Sequence, residues 1–91
     1  MFIMEIEKEM IMKDKELNRR IGYEMRSQRL LKRLTLEQVA ARMGVSSKNT
    51  ISRMELGDTK ITVVDLKAYC DAVGCSWLEV LKNVRKYDAC L

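Results

Sequence analysis

The sequence lacks proline altogether and contains few aromatic side chains: one tryptophan, one phenylalanine and three tyrosines among 91 residues. Without proline to interrupt helices, and with few of the aromatic residues that favour strands, the chain is expected to be helical. Apolar residues make up 47% and charged residues 33%, as in ordinary soluble domains. The length suits one domain with a single modest core. Composition therefore predicts one all-α domain.

Histidine is also absent, and the three cysteines, Cys70, Cys75 and Cys90, show no CxxC spacing. We therefore expect no zinc site, no disulfide framework and no cofactor. Cys70 is expected to be a small buried residue and Cys90 a free thiol in the tail. Reduced cysteines indicate a reducing compartment, which we take to be the cytoplasm. The absence of histidine and of a glycine-rich phosphate loop argues against an enzyme.

No long hydrophobic run is present. The most apolar segment is MFIMEIEKEMIMK, and its glutamates and lysines exclude a signal peptide or a membrane span. Phe2, Ile6 and Met10 recur as on one face of a helix, whereas Phe2, Met4 and Ile6 alternate as in an edge strand. Residues 1–13 are therefore predicted to be a short N-terminal extension, either an arm that packs on a partner subunit or a frayed leader upstream of an internal start.

The clearest pattern lies between Leu34 and Gly57. Thr35 and Gln38 have the spacing of a capping box, and Gly44 stands where a left-handed C-terminal cap is expected. Between them, apolar residues recur with helical spacing, which predicts a helix over residues 36–43: Leu36, Val39, Ala40 and Met43.

A second short helix is predicted over residues 47–56. It follows a polar run, carries Ile51 and Met54 three residues apart, and is ended by Gly57. Two short helices joined by a tight glycine turn form a helix-turn-helix.

At these residues the sequence resembles the lambda-repressor and Cro-like family of DNA-binding domains, also called the XRE family. The resemblance covers roughly Leu17 to Leu81 and rests on the order Thr35, Val39-Ala40, Gly44-Val45-Ser46, Ile51-Ser52-Arg53, Glu55 and Gly57. It implies a five-helix lambda-repressor-like DNA-binding domain. The sequence departs from the family twice: Gly44 to Ile51 is one residue longer than usual, and Leu36 stands where many members carry a DNA-contacting glutamine.

The remaining helices flank this motif, and together they give a domain over residues 14–87 with a tail at 88–91. Helix 1 is expected from Asp14 or Lys15 to about Arg33, and helix 4 is expected between Thr62 and Gly74. Helix 5 is predicted to start after Ser76 and to fray by about Tyr87. The residues of helix 1 expected to face inward are Leu17, Ile21, Met25 and Leu30.

Positive charge is concentrated in the first helix and the helix-turn-helix. Residues 17–57 hold nine basic and three acidic groups, whereas residues 1–16 hold three and five, and residues 58–91 hold five of each. A basic region beside a groove-reading motif is typical of a nucleic-acid-binding protein. We therefore expect double-stranded DNA as the partner.

The first residues of a recognition helix face base edges in the major groove. By the resemblance, the base-facing residues are Lys48, Asn49 and Arg53, with Ser47, Thr50 and Ser52 close by. Lysine and arginine can donate to guanine, and asparagine can pair with adenine. Ser46 or Ser47 is as readily explained as the helix cap.

Phosphate contacts are expected from Thr35 at the start of helix 2, from Lys60 after helix 3, and from Arg26 and Arg42. The resemblance also implies a structural ion pair between Arg29 and Glu55, which would fasten helix 1 to helix 3.

Because one helix-turn-helix reads only a few base pairs, a homodimer is expected. Its interface is predicted on helix 5 and the adjoining tail, at Trp77, Val80, Val84 and Tyr87. Trp77 could equally belong to the core, because large apolar residues are usually buried.

The sequence thus predicts a transcriptional regulator of bacterial or phage type, a repressor that binds a near-palindromic operator. The alternative is a protein-interaction module of the same fold, such as an antitoxin or inhibitor with secondary DNA binding. The expected partners are DNA, a second copy of the chain and, in the alternative, another protein, but not a membrane.

Overall fold

The computed structural model describes the backbone of residues 2–89 and the side chains of residues 15–85. This part of the chain contains five helices and no strand, so the all-α prediction is confirmed. The helices are α1 (Phe2–Leu31), α2 (Leu36–Met43), α3 (Lys48–Leu56), α4 (Val63–Val73) and α5 (Trp77–Ala89).

The first helix begins at Phe2, well before the predicted start at Asp14 or Lys15. Neither glycine nor proline occurs before Gly22, so nothing in the local sequence interrupts the helical backbone. The N-terminal extension is therefore helical and continuous with α1, and not an edge strand. Its predicted role as an arm on a partner depends on side chains outside the described range.

The same helix ends at Leu31, earlier than predicted, because Arg33 adopts a left-handed conformation with a φ of 57°. The N–H of Leu34 then donates to the carbonyl of Arg29 at 3.1 Å, which closes the helix end. At the other end of the domain, α5 continues to Ala89, beyond the predicted fraying at Tyr87.

Local capping explains the bounds of the short helices. Thr35 and Gln38 form the predicted capping box of α2, and Thr62 and Asp65 form that of α4. Ser47 is extended and accepts the N–H of Asn49 at 3.1 Å, so α3 begins one residue later than predicted, after its cap.

The helices enclose a single core. Its fully buried side chains come from all five helices: Met25, Val39, Ile51, Tyr69, Cys70, Val80 and Val84. Leu17 and Leu30, which were expected to face inward, are instead exposed. The inward face of α1 instead contains Gly22, Met25 and Arg29. The expectation for Leu17 and Leu30 was wrong because it considered only apolar side chains, whereas a glycine and an arginine are buried on this face. Cys70 and Cys75 are free thiols, whereas Cys90 lies outside the described residues.

Asn18 of α1 holds the loop between α3 and α4. Its amide nitrogen donates to the carbonyls of Gly57 and Thr59, at 3.3 and 2.5 Å, and its amide oxygen accepts the N–H of Ile61 at 2.8 Å. One side chain thus forms hydrogen bonds with three backbone groups of a segment about forty residues away in the sequence. This positions Lys60 relative to α1.

We expect Asn18→Ala to lower the free energy of unfolding by about 1–3 kcal/mol, because it leaves partly buried backbone groups without partners. Denaturant titration followed by circular dichroism measures this loss. Asn49→Ala, which changes an exposed asparagine of α3, is the matched control and should change stability by less than about 0.5 kcal/mol. Equal effects of the two substitutions would contradict the role assigned to Asn18.

Candidate nucleic-acid interface

Helix α3 has one buried face and one exposed face. Ile51, Met54 and Glu55 are buried on the inner side. The outer face carries a stripe of residues spaced i, i+3, i+4 and i+7: Asn49, Ser52, Arg53 and Leu56. Asn49 and Arg53 are exposed and Ser52 is half-buried, so these three side chains predicted to read bases share one accessible surface.

The three other predicted base-contacting residues lie at the start of α3 or at its cap. Lys48 is exposed, and its ammonium donates to Glu37 Oε1 of α2 at 3.1 Å. Thr50 is also exposed but lies to one side of the stripe. The Ser47 hydroxyl caps α3 by accepting the backbone N–H of Asn49, so one of its lone pairs is already engaged in a hydrogen bond within the protein.

Leu56 was not identified from the sequence, although it ends the stripe and is 57% exposed. It lines a surface cleft of about 220 Å³ with Leu36, Ser52, Arg26 and, at its base, Arg29 and Glu55. In the sequence, its position seven residues after Asn49 was the signal that could have placed Leu56 on the same face of the helix. An exposed leucine beside Ser52 gives this surface an apolar part as well as a polar one.

A buried polar cluster fixes α3 against the rest of the domain. Arg29 donates from Nε to Glu55 Oε2 at 2.7 Å and from Nη2 to Oε1 at 3.0 Å, a bidentate pair in which both residues are buried. Arg29 Nη1 also donates to the carbonyl of Leu34 at 2.8 Å, just before α2. The two residues named by the family resemblance are thus in direct contact.

Tyr69 of α4 completes this cluster and was missed in the sequence. Its hydroxyl lies 2.6 Å from Glu55 Oε2 and 2.9 Å from the carbonyl of Met25, within donating distance of both. Burial, followed by the neighbouring Glu55 carboxylate, raises the pKa of Tyr69 well above its ordinary value. Tyr69 therefore stays a neutral donor, and Glu55 joins α1, α3 and α4 at one point.

The predicted phosphate-contacting residues have different surroundings. Thr35 caps α2, and its hydroxyl accepts the N–H of Gln38 at 3.1 Å. Arg26 is exposed at the cleft, and Lys60 is exposed in the loop held by Asn18. Arg42 donates to the carbonyl of Ala72 at 2.9 Å, so this guanidinium also binds the last turn of α4.

Comparison with known proteins agrees with this geometry. A family model described as helix-turn-helix, HTH_3, matches residues 25–80, which is more than half of the chain. The chain belongs to the XRE family of helix-turn-helix proteins. Its fold is similar to the crystal structure of the clp gene regulator ClgR from C. glutamicum, with 30% sequence identity and a TM-score of 0.73. That match covers 78% of this chain and 91% of the other. No curated protein matches the sequence.

The predicted dimer surface of this XRE-family protein needs correction. Val80 is 0% exposed and Val84 is 2% exposed, because both pack inside their own protomer. They were assigned to an interface because helix 5 and the tail offer more apolar area than one small core was expected to absorb, but the core does bury both side chains. Trp77 is half-buried and packs against the core, and the side chain of Tyr87 lies outside the described range.

Within residues 15–85, no group of three or more histidine, cysteine or acidic side chains is placed to hold a metal ion. None of the helices in the described part of this XRE-family protein is long and apolar enough to span a bilayer.

Proposed function

We propose that this protein is a sequence-specific transcriptional regulator, a repressor of bacterial or phage type that binds a near-palindromic operator as a homodimer. The observation that supports this most is the accessible stripe on α3, which groups side chains able to donate to base edges on an XRE-family helix-turn-helix. Membership of this family favours a DNA-binding regulator over an enzyme.

In this proposal α3 enters the major groove with its first turns against the bases. Arg53 and Lys48 donate to guanine O6 and N7, and Asn49 pairs with adenine N6 and N7. Thr35, Lys60 and Arg26 contact phosphates on either side and set the register of the helix. The Arg29 and Glu55 pair contributes indirectly, by keeping α3 in place relative to these phosphate contacts.

Dimerisation follows from the size of the reading surface. One α3 reaches only a few base pairs, so two copies related by two-fold symmetry would read half-sites about one helical turn apart, roughly 34 Å. With Val80 and Val84 inside the protomer, the remaining candidates of the predicted surface are Trp77 and Tyr87. An exposed leucine of α5, Leu78, is a further apolar residue on the same helix.

Selection of random duplex DNA by the purified full chain, repeated over a salt series, tests the proposal. We expect enrichment of an inverted repeat with half-sites one helical turn apart. An enriched single half-site would contradict the dimer but not DNA reading. Absence of any enriched sequence would contradict the regulator and favour a protein-interaction module of the same fold.

A second measurement separates base reading from phosphate contact. Asn49→Ala should weaken binding to the selected site by about 1–3 kcal/mol and leave random DNA nearly unchanged, because the lost pairing is with a base. Lys60→Ala should weaken binding to both duplexes alike and reduce the salt slope by roughly one unit, because every DNA sequence presents the same phosphates. Fluorescence anisotropy titrations measure both effects.

If Asn49→Ala instead weakens selected and random DNA equally, the extra residue between Gly44 and Ile51 has turned the start of α3 away from the bases. The base contacts would then have to be assigned to the far end of the stripe.

A further inference from the structure

The pair formed by Glu37 and Lys48 joins the first turns of α2 and α3 across the turn of the motif. The Lys48 ammonium lies 3.1 Å from Glu37 Oε1, and both side chains are more than half exposed. The other described ion pairs between exposed side chains lie within single helices, such as Lys67 with Asp71 in α4. This pair therefore links the two helices of the motif on their solvent side.

Glu37 lies in the first turn of α2 and is the acidic residue there. Its own backbone N–H, followed by the Lys48 ammonium, lowers the pKa of the Glu37 carboxyl below its ordinary value. The partner of Lys48 is therefore a carboxylate, and a DNA phosphate would have to compete with it for the same ammonium.

We propose that Glu37 is a specificity-determining residue, which holds Lys48 for base contact and keeps its ammonium from DNA phosphates. This inference rests on the proposed function. An ammonium has three N–H donors, so Lys48 can keep one on Glu37 and still offer two to guanine O6 and N7. On random DNA, where no guanine is correctly placed, a lysine held by Glu37 is a poor phosphate ligand.

Glu37→Gln tests this inference, because an exposed ion pair contributes little to stability and the variant should fold normally. We expect its affinity for a scrambled duplex to rise about three- to tenfold, with a salt slope steeper by about 0.9, as for one additional phosphate contact. Affinity for the selected duplex should not rise in parallel, so the ratio of selected to scrambled affinity should fall more than threefold.

Asp71→Asn is the matched control, because it removes a carboxylate from another exposed lysine pair and changes net charge equally. It should change neither the ratio nor the salt slope. In a Lys48→Gln background, Glu37→Gln should no longer lower the ratio, since there is no ammonium left to hold.

A ratio that stays within threefold of wild type for Glu37→Gln, or that falls equally for Asp71→Asn, would overturn the inference. Failure of the proposed function is distinguishable, because the wild-type protein would then bind selected and scrambled DNA equally. In that case the claim about specificity fails with it, and the steeper salt slope on scrambled DNA still tests whether Glu37 keeps the Lys48 ammonium from phosphates.

Discussion

Glu55→Ala is expected to lower the free energy of unfolding by about 3–5 kcal/mol, since it leaves the buried Arg29 guanidinium without its carboxylate. The same substitution removes an acceptor of the Tyr69 hydroxyl and so releases α4 as well as α1 from α3. Small domains are stable by only about 5–15 kcal/mol in total. The variant should therefore be close to unfolded at moderate temperature, as measured by urea titration and thermal melting.

Two other variants separate the contribution of the Tyr69 hydroxyl from that of the Glu55 carboxylate. Tyr69→Phe removes only the hydroxyl and should cost about 1–3 kcal/mol, less than loss of the carboxylate. Glu79→Ala, which removes an exposed glutamate of α5, should change stability by less than about 0.5 kcal/mol. A loss below about 1 kcal/mol for Glu55→Ala would mean that water replaces the carboxylate easily, and that α3 is held by apolar packing alone.

The second large effect is expected at Gly22, where α1 crosses α3. A Cβ added there would lie 2.5 Å from the carbonyl oxygen of Met54 and 2.6 Å from that of Glu55. These are backbone atoms, which cannot turn away as a side chain can, so the two helices would have to separate. We expect Gly22→Ala to cost about 1–3 kcal/mol despite its better helix propensity.

The sign of this effect is informative, because helix propensity alone predicts a gain of about 0.5–1 kcal/mol for the same substitution. Ser27→Ala, on the same helix at a residue whose hydroxyl donates to the carbonyl of Tyr23 in that helix, is the control and should be neutral or slightly stabilising. Chemical denaturation of both variants gives the comparison. A stabilised Gly22→Ala protein would contradict the close crossing and leave Gly22 as a weak point of the helix.

The Gly22 and Glu55 substitutions should not be additive, since both act where α1 meets α3. Either one should also reduce affinity for selected DNA more than for random DNA, because both displace the base-reading stripe. Phosphate contacts tolerate such a shift better than paired hydrogen bonds to a base do.

Several features of this protein were determined by its sequence alone. The capping boxes at Thr35 and Thr62, the left-handed glycines that end α2 and α3, and the all-α class were predictable because each depends on residues a few positions apart. The family resemblance supplied Arg29 and Glu55, which lie far apart in the chain and which periodicity could not have paired.

Other features were decided only by the tertiary structure. Helix propensity alone makes Gly22 a weak point of α1, and only its close approach to α3 shows why a glycine is needed there. Asn18 showed no local signal for the loop that it holds. Val80 and Val84 have the same spacing whether they face the core or a partner, so only packing assigns them to the core. Contacts between residues distant in the chain depend on how helices cross, and the hydrophobic pattern of a single helix does not specify that geometry.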